Sequence, residues 1–505
     1  MKLITKLPNY LITKLPLIPL LPVLLFMFTG CAGTYQSSFK PSANEQLAKQ
    51  IDQQISIPEL ETALVGIMVK SAETGEIFYQ HNANTLMMPA SNEKIPTSAA
   101  TLLKFGPDFR YQTKIITNGS IEKGVLNGDL IVVGSGDPTI SSRFCDNPDS
   151  CFIFQSWADS LKSKGIEKIN GNIIGVDDVF DDELIGYGWT VDNLPYSYSA
   201  QISGLSFNEN YATVKINADS TGDKINISVI PDFDYLEIES QLTINEDESD
   251  IGFDRVLNTN RLKIFGTIKP GSNYTQKVSI HNPTKYFVSA LKKELQQLGI
   301  EVSGETFDAD ELRVENADTS SNLLFTHSSI PMKEVLKILM KESQNLYAES
   351  FVKLLGAYFG KEGSFEEGEK ILKQTLQRLG LEKDSYAFKD GSGLCRYNYI
   401  SPAHLVKILR RMYFHPYGKI WRDCLPIAGV DGTIDYRLKR TVAQNNIFAK
   451  TGTISNVRCL SGYAKTKDGE TLVFSTMFNN FLCSTQVVMD VQDQICMLLA
   501  SFKRL

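Results

Sequence analysis

MPASNEKIPTSAATLLKFG, residues 88–106, is the stretch that decides the fold of this chain. Ser91 and Lys94 lie three positions apart in it, so a helix that begins at Ser91 places the hydroxyl and the amine on one face. An amine in that position accepts the hydroxyl proton and makes the serine a nucleophile. Pro96 complicates the helix, because a proline inside a helix clashes with the carbonyl four residues back. We therefore expect this helix to start late or to bend.

Two further short motifs follow along the chain, Ser343-x-Asn345 and Lys450-Thr451-Gly452. Together with Ser91-x-x-Lys94, they indicate one active site. Each motif is weak alone, since the Ser-x-x-Lys spacing also occurs at residues 37–40. Taken singly, Ser91 is equally a helix cap, residues 343–345 are a helix break, and Gly452 is a bulge glycine. A side chain at Gly452 would also block a substrate.

Hydrophobic periodicity places these motifs on predicted elements. A strand hairpin, residues 63–69 and 77–80, leads to Ser91. After Pro331, apolar residues at helical spacing stop at residues 341–345 and then resume, so the second motif lies between two helices. The last predicted elements are a strand at 446–449 that leads into Lys450, a hairpin at 460–465 and 471–478, and a C-terminal helix at 488–502.

Residues 107–325 differ from the rest, because short alternating strands with Gly, Asn and Asp turns dominate there. The predicted strands are 111–117, 130–133, 212–216, 225–229 and 262–268, and two helices are predicted at 154–164 and 286–298. This pattern predicts an inserted region of mixed α and β structure that is rich in strands. Its length of over two hundred residues suits two subdomains.

Residues 1–30 resemble an export signal, with three lysines ahead of an apolar run at 15–28. Prolines break this run and it is too short for a spanning helix, which disfavours the alternative of a membrane anchor. The small residue before Cys31 resembles a bacterial lipobox, in which the cysteine is lipidated. Phe28 departs from that pattern and leaves a soluble exported product as an alternative. Residues 31–44 are predicted to be a tether.

Composition excludes several classes of function. With 505 residues, 42% hydrophobic and 22% charged, the chain is globular and long enough for two or three cores. Removal of residues 1–30 changes the net charge from −7 to −10, which disfavours nucleic acid as a partner. No cysteine or histidine pair has zinc-ligand spacing, so we expect no metal and no cofactor. Cys145 and Cys151 flank a turn and suit a disulfide in an oxidising compartment, whereas the other five cysteines after Cys31 are expected to be buried thiols.

The three motifs in this order resemble those of the active-site serine penicillin-recognising enzymes, which include D-alanyl-D-alanine peptidases and serine β-lactamases. The separation of 252 positions between Ser91 and Ser343 resembles the one produced by the large insertion of the class C low-molecular-mass penicillin-binding proteins, the D-alanyl-D-alanine carboxypeptidase/endopeptidase family. The resemblance extends over nearly all of the chain after residue 45 and includes residues 89–91, 134–139, 345–349, 390–394 and 429–433. It implies an α+β, β-lactamase-like (DD-peptidase) transpeptidase domain, an antiparallel sheet flanked by helices, which is formed by residues 45–106 and 326–505.

Residue types and the resemblance together imply the chemistry. Ser91 attacks the carbonyl between two D-alanines, and Lys94 takes its proton if burial keeps the amine neutral. Ser343 relays a proton to the leaving amine, and Asn345 holds Lys94 or the substrate amide. Lys450 supplies positive charge near Ser343. Water then releases the acyl group from the serine.

The substrate contacts follow from the same resemblance. Thr451 with Lys450 binds the C-terminal carboxylate, and the backbone N–H groups of Ser91 and Thr453 bind the oxyanion. The resemblance also assigns Asp137 to the amine of the third residue of the peptide, although a turn residue is an equal alternative there. It further places Arg396 at a substrate carboxylate and Ile454 at the wall of the same pocket.

The predicted function is a serine D-alanyl-D-alanine carboxypeptidase, with endopeptidase activity left open, that acts on peptidoglycan stem peptides and is inhibited by β-lactam antibiotics. One alternative is a serine β-lactamase, for which we find no base to activate the deacylating water. The other is a non-catalytic lipoprotein that binds peptidoglycan. The predicted location is the periplasm, with a membrane anchor through lipidated Cys31.

Overall fold

The computed structural model describes residues 42–144, 152–312 and 322–504. Within these ranges, no helix is both long enough and apolar enough to cross a membrane. The predicted export signal, Cys31, Cys145 and Cys151 lie outside the described residues, as does most of the predicted tether. The other five cysteines are free thiols, and all of them are buried except Cys483, which is half-buried.

The described residues form helices and strands in the following order along the chain. The helices are α1 (Ala43–Ile55), α2 (Lys94–Phe105), α3 (Phe152–Ser163), α4 (Pro283–Gln297), α5 (Ala309–Leu312), α6 (Met332–Lys341), α7 (Asn345–Phe359), α8 (Phe365–Arg378), α9 (Pro402–Tyr413), α10 (Gly418–Asp423) and α11 (Thr485–Ser501). The strands are β1 (Leu64–Ser71), β2 (Ile77–His81), β3 (Gln112–Thr117), β4 (Ser120–Glu122), β5 (Val125–Asn127), β6 (Leu130–Val133), β7 (Lys168–Ile169), β8 (Ile173–Val176), β9 (Tyr211–Ala218), β10 (Ile225–Ile230), β11 (Glu237–Ile244), β12 (Asp250–Arg255), β13 (Arg261–Ile268), β14 (Asn273–Ser279), β15 (Glu301–Val302), β16 (Thr306–Asp308), β17 (Asn322–Ser328), β18 (Ile447–Ile454), β19 (Val457–Lys465) and β20 (Thr471–Asn479).

Helix α1 begins inside the stretch that the sequence assigned to the tether. The hydroxyl of Ser42 accepts a hydrogen bond from Glu45 N–H at 3.3 Å, and the Glu45 carboxylate accepts one from Ser42 N–H at 2.7 Å. This reciprocal pair is a capping box, which satisfies two backbone donors at a helix start. Residues 43 and 44 therefore belong to α1, whose buried Leu47 and Ile51 pack into the core of the protein.

A five-stranded antiparallel sheet joins the two ends of the described chain. Its order is β18-β19-β20-β1-β2, so the hairpin before Ser91 pairs with strands from the C-terminal part. Seven of the nine residues of β19 are buried, and eight of the nine residues of β20 are buried, because helices cover both faces of the sheet. Strand β18 lies at the edge. It extends through the third motif, whereas the sequence predicted a strand that ends at residue 449.

Helix α2 begins at Lys94, not at Ser91. Residues Ala90–Glu93 form one turn of 3-10 helix ahead of it. Pro96 is the third residue of α2, where its missing N–H would have had no partner in the helix. The late start is therefore the way in which this helix accommodates Pro96. Nine of its twelve residues are buried, which fixes the serine turn to the centre of the largest core.

Four further sheets lie between α2 and α6 among the described residues. Their strand orders are β10-β9-β14, β11-β13-β12, β15-β7-β5-β4 and β16-β8-β6-β3-β17. In the last sheet, β6, β8 and β16 are parallel, with α3 and α4 in the connections between them, as parallel pairing requires. The five predicted strands correspond to β3, β6, β9, β10 and β13, and the two predicted helices correspond to α3 and α4. One apolar cluster contains residues of all these elements, and the division into two subdomains stays a prediction.

Candidate active site

The serine and the lysine of the first motif meet although the helix starts late. Ser91 lies on the 3-10 turn and is half-buried, whereas Lys94 is the first residue of α2 and is fully buried. The Lys94 Nζ lies 3.0 Å from the Ser91 Oγ. A neutral amine at this distance can accept the hydroxyl proton.

The second motif and a turn after α8 complete the surroundings of this amine. Lys94 Nζ donates hydrogen bonds to Asn345 Oδ1 at 2.6 Å and to Ser392 O at 2.8 Å. Burial lowers the pKa of Lys94 to about 7, although the carboxyls of Asp390 and Glu349 act to raise it. The three hydrogen-bond partners therefore hold the amine in place, while burial favours its neutral form.

Two buried carboxylates shape the turn that carries Ser392. Glu349 accepts hydrogen bonds from the N–H groups of Gly391 and Ser392 at 2.9 and 2.8 Å. Asp390 accepts hydrogen bonds from Gly393 N–H at 2.7 Å and from Trp189 Nε1 at 3.0 Å. These contacts explain why a polar turn is buried next to Lys94, because each carboxylate receives several donors.

Glu93 is a buried carboxyl of a different kind. It is fully buried, and neither of its oxygens has a hydrogen-bond partner among the described residues. Burial, followed by the charges of Asp390 and Glu349, raises the pKa of Glu93 well above its usual range. Burial therefore favours the protonated form of Glu93 over a charged carboxylate beside Lys94.

The second and third motifs meet on the other side of the serine. Ser343 has a φ of +62°, and its Oγ accepts a hydrogen bond from Lys450 Nζ at 2.8 Å. Lys450 also donates to Thr451 O at 2.9 Å. Burial, and then the nearby amine of Lys94, lower the pKa of Lys450 well below its usual value. Burial therefore disfavours the charged form of this amine, and the role of Lys450 as a positive charge stays a prediction.

The edge strand β18 is fixed to the serine turn by side chains. Asn92 Nδ2 donates to Lys450 O at 2.8 Å, and the hydroxyl of Ser461 donates to Asn92 Oδ1 at 2.5 Å. On the side of β18 away from β19, Ala449 N–H donates to Pro426 O at 2.9 Å. Because the direction of backbone N–H groups alternates along a strand, the N–H of Thr453 faces the same open side. This is the direction that the predicted oxyanion contact requires.

Gly452 is required by the contact between β18 and the serine turn. A Cβ at this position would lie 2.5 Å from Pro89 O and 3.1 Å from Asn92 N. The register between β18 and β19 is continuous, so Gly452 is not at a bulge. The structure therefore gives a steric reason for this residue: only glycine lets this strand approach the serine turn. That a side chain here would also obstruct the substrate stays a prediction.

Replacement of Gly452 by alanine is expected to separate β18 from the serine turn. The added methyl group collides with backbone atoms and not with a flexible side chain, so the strand must shift. We expect the rate of acylation by a fluorescent penicillin to fall by about tenfold or more, with a loss of about 1–3 kcal/mol in the free energy of unfolding. An unchanged acylation rate in the folded variant would show that the approach of this strand has no role.

A cavity of about 800 Å³ opens in front of Ser91. The predicted site residues that line it are Ser91, Ser343, Asn345, Thr451, Thr453, Ile454 and Arg396. Residues of the inserted region line it as well, namely Gly188, Thr190, Asp192, Asn193 and Tyr198. A second cavity, of about 700 Å³, lies in the inserted region and contains none of the predicted site residues. The structure therefore brings most of the predicted residues to one cavity.

Several of the lining residues already have partners. Thr451 Oγ1 lies 2.8 Å from the hydroxyl of Thr433, and Thr453 Oγ1 accepts a hydrogen bond from the guanidinium of Arg458. Arg396 donates two hydrogen bonds to Ser455 O, at 2.9 and 2.7 Å. These contacts orient the side chains at the cavity wall before any ligand binds.

Four predicted site residues do not line this cavity, namely Lys94, Lys450, Gly452 and Asp137. Asp137 lies on a buried turn of its own. It is 2% exposed, and one of its oxygens accepts hydrogen bonds from the Thr139 N–H and hydroxyl at 2.8 and 2.6 Å. Its other oxygen has no partner among the described residues, and burial raises the pKa of Asp137 to about 6. Its carboxylate is thus part of a buried turn, and this geometry gives no support to a substrate contact.

Asp192 is the acidic residue that the sequence reasoning missed. It is exposed and lines the cavity, and its carboxylate has no hydrogen bond or ion pair within the described part of the chain. The residues before it, 186–191, carry no catalytic motif, so no local signal marks them. Only the three-dimensional structure shows that Asp192 lines the cavity.

The site combines three features: a serine next to a buried amine, a second serine next to another amine, and an edge strand beside both. Together they define a serine acyl-transfer enzyme of the penicillin-recognising class. The particular family follows from comparison with known sequences. The chain belongs to the D-Ala-D-Ala carboxypeptidase 3 (S13) family, which matches residues 47–502. It is therefore a serine peptidase, and the resemblance to the class C penicillin-binding proteins is confirmed.

Individual relatives cover nearly the same extent. The chain is 29% identical to the D-alanyl-D-alanine carboxypeptidase of Actinomadura sp. (strain R39), over 96% of this chain and 89% of that protein. It is 27% identical to the D-alanyl-D-alanine carboxypeptidase DacB of Haemophilus influenzae, over 83% of this chain and 85% of the relative. The crystal structure of penicillin binding protein 4 from Haemophilus influenzae matches with a TM-score of 0.77 and 26% identity, covering 89% of this chain and 97% of that chain. The same protein in complex with a β-lactam matches with a TM-score of 0.71 and 25% identity, over 89% of this chain and 97% of that one.

Proposed function

We propose that the protein is a serine D-alanyl-D-alanine carboxypeptidase that acts on peptidoglycan stem peptides and is acylated by β-lactams. The observation that carries this proposal is the 3.0 Å separation of Ser91 Oγ from the buried amine of Lys94. The carboxypeptidase names of the relatives and the β-lactam complex of penicillin binding protein 4 agree with it. Endopeptidase activity on cross-linked peptides is a further possibility of the same chemistry.

In the proposed reaction, Ser91 Oγ attacks the carbonyl carbon between the two D-alanines while its proton passes to Lys94 Nζ. The oxygen of that carbonyl becomes negative and accepts hydrogen bonds from the N–H groups of Ser91 and Thr453. When the peptide bond breaks, the proton that Lys94 took from Ser91 passes through the Ser343 hydroxyl to the leaving D-alanine nitrogen, and Lys94 is neutral again. Water then attacks the acyl-enzyme and gives one proton to Lys94, which returns it to Ser91 Oγ as the acyl bond breaks.

Asn345 and Lys450 act on these groups in the proposed mechanism. Asn345 Oδ1 holds Lys94 Nζ, so that the amine stays directed at the serine. The C-terminal carboxylate of the peptide enters beside Lys450 and Thr451, and its negative charge raises the pKa of Lys450 again. The protonated Lys450 then stabilises both the carboxylate and the hydroxyl of Ser343.

The experiment that tests this proposal uses one peptide and one antibiotic. Purified protein is incubated with diacetyl-L-Lys-D-Ala-D-Ala, and released D-alanine is measured. A second sample receives penicillin, and its hydrolysis is followed. Release of D-alanine with slow or no penicillin turnover supports the carboxypeptidase. Penicillin turnover without D-alanine release would instead identify a serine β-lactamase, and no reaction with either would support a protein that only binds.

The acylation rate is expected to rise with pH through about 7. Lys94 acts as a base only when its amine is neutral, and burial lowers its pKa to about 7. The neutral fraction grows as pH increases, so the rate should increase by about tenfold per pH unit below that value and level off above it. Penicillin acylation measured between pH 5 and 9 checks this. A rate that falls across the same interval would contradict a neutral lysine base.

We further propose that Asp192, not Asp137, faces the amine of the third residue of the peptide, in the cavity that Arg396 also lines. An exposed carboxylate and a guanidinium at one cavity suit a residue that carries both an amine and a carboxylate. Asp192→Asn should raise the KM for a peptide with a free amine on its third residue by about tenfold, and should leave the acetylated peptide unaffected. Asp137→Asn makes the same chemical change outside the cavity. If only Asp137→Asn raises the KM, Asp137 is the residue that faces the amine, as the sequence predicted.

The remaining sequence expectations are also proposals. We propose that the protein is exported to the periplasm, that lipidated Cys31 anchors it to a membrane, and that residues 31–42 act as the tether. We also propose that Cys145 and Cys151 form a disulfide, and that residues 107–325 form a region inserted into the catalytic domain. Labelling of cells that produce the protein with a palmitate analogue tests the lipid anchor, with Cys31→Ala as the control that should not be labelled.

A further inference from the structure

The inserted region holds the second motif at two separate points. The backbone carbonyl of Tyr198 accepts a hydrogen bond from Asn345 Nδ2 at 2.7 Å. The carboxylate of Glu209 accepts hydrogen bonds from Gln344 Nε2 and from the hydroxyl of Tyr347, the latter at 3.2 Å. Ser343, Gln344 and Asn345, which we call the SQN loop, are thus held from the side of the inserted region as well as from Lys94 and Lys450.

Glu209 is built into this position as a charged group. It is 1% exposed, and Arg143 neutralises it through two nitrogens, Nε and Nη2, with the second contact at 2.8 Å. A second carboxylate, that of Glu342 immediately before the SQN loop, also pairs with Arg143. A bidentate arginine fixes the plane of the carboxylate and leaves its remaining acceptor capacity directed at Gln344 and Tyr347.

The backbone around Glu209 adopts an unfavourable conformation to direct the carboxylate there. Asn208, Glu209 and Asn210 have φ values of +48°, +54° and +55°, in a region that residues with a side chain rarely occupy. Side chains maintain this conformation: Asn208 Nδ2 donates to Tyr211 O at 3.1 Å, and Asn210 Nδ2 donates to Gln201 O at 2.8 Å. Such strain persists only where the surroundings impose it, and it is concentrated at functional sites.

The SQN loop is strained in the same way at its catalytic residue. Ser343 has a φ of +62°, so a loop without support would tend to relax toward negative φ. Relaxation would move the Ser343 hydroxyl away from Lys450, and it would carry Asn345 Oδ1 away from Lys94. A fixed acceptor at Gln344, between these two residues, opposes that movement.

We propose that Glu209 is a positioning residue for catalysis: through Gln344 and Tyr347 it holds the SQN loop in its reactive conformation, so the inserted region is part of the catalytic apparatus. This inference rests on the proposed function, since it assigns a role in the same acylation. Glu209 itself does not touch the substrate, and it acts only through the loop.

The direct test is Glu209→Gln, which keeps the size of the side chain but removes its charge and places a donor where an acceptor is needed. We expect the first-order rate constant of acylation by penicillin to fall by about tenfold or more, while the dissociation constant of the initial complex changes less than threefold. Loss of stability alone would not produce this separation, because the folded fraction would still react at the normal rate.

The matched control is Lys353→Met, in helix α7. Lys353 is buried and joins α7 to the inserted region through the carboxylate of Asp181 and through Glu183 O, the latter at 2.7 Å, without contacting the SQN loop. We expect this variant to lose stability while its acylation rate constant stays within about threefold of the wild type. If Lys353→Met slows acylation as much as Glu209→Gln, general loosening of the interface is the cause and the proposal is wrong.

A double variant makes the test independent of folding defects in either single one. Gln344→Ala removes the loop side of the same contact, and we expect the combination of Glu209→Gln and Gln344→Ala to be no slower than the slower single variant. Multiplied effects, or acylation by Glu209→Gln within twofold of the wild type, would overturn the inference. The wild type is measured in parallel: if penicillin does not acylate it, the proposed function has failed, not the role of Glu209.

Discussion

Ser91→Ala is expected to abolish both acylation by penicillin and release of D-alanine, with a loss of at least about 10³-fold in rate. The proposed reaction has a covalent intermediate on this hydroxyl, and no other serine hydroxyl among the described residues is hydrogen-bonded to Lys94 Nζ. Alanine removes one oxygen from a half-buried turn, so the fold should be retained. Fluorescent penicillin labelling and a D-alanine assay on the folded variant measure the effect.

The second occurrence of the Ser-x-x-Lys spacing provides the control for this variant. Ser37 stands three residues before Lys40 and lies outside the described residues. Ser37→Ala should leave both activities at the level of the wild type. Labelling that persists in Ser91→Ala but disappears in Ser37→Ala would show that the wrong serine has been assigned.

Lys94→Met is expected to lower the acylation rate by about 10³-fold, within the range for loss of a general base. An unbranched thioether fills the buried space that the lysine stem occupies, so the variant should fold. It removes the acceptor for the Ser91 proton and leaves Asn345 Oδ1 and Ser392 O without the amine to which they bind. Because no new base replaces it, the increase in rate with pH through about 7 should also be lost.

Lys104→Met controls for the loss of a lysine from the same helix. The amine of Lys104 lies over the ring of Phe359, 4.5 Å from the ring centre, near the end of α2 and away from the cavity. We expect its acylation rate to match that of the wild type within about twofold. A Lys94→Met variant that retains the wild-type rate and pH profile would exclude Lys94 as the base.

The residues to which we assign the chemistry could be selected from the sequence, because each lies in a short motif whose spacing matches its element. Ser91 and Lys94 are three residues apart, and their side chains still meet although a 3-10 turn separates the serine from α2. Lys450, Thr451 and Gly452 extend a predicted strand, so one edge carries all three. A prediction based on such a motif remains useful even when the predicted bounds of the helix or strand are wrong by a few residues.

The residues that position the chemistry could not be predicted in the same way. Glu209 lies 134 residues before Ser343, and its contact with Gln344 depends on three consecutive residues with positive φ. Asp192 lies on a single turn of 3-10 helix, Val191–Asn193, and no local pattern marks it as a residue that lines the cavity. Asp137 had the appropriate charge after a glycine-rich turn, but Thr139 two residues later binds its carboxylate. Long-range packing decides the contacts of Glu209 and Asp192, and no local pattern reports it. The contact of Asp137 is local, and its role at the substrate stays a prediction.

Mass spectrometry of the penicillin-treated wild type shows whether Ser91 forms the acyl-enzyme. Trypsin cuts after Lys70 and, within a peptide that starts at residue 71, next after Lys94, so Ser91 lies in residues 71–94. We predict that this peptide gains the mass of one intact penicillin and that fragmentation places the added mass on Ser91. An adduct on any other residue would contradict the assignment of Ser91. Saturable binding of penicillin without any covalent adduct would contradict it as well.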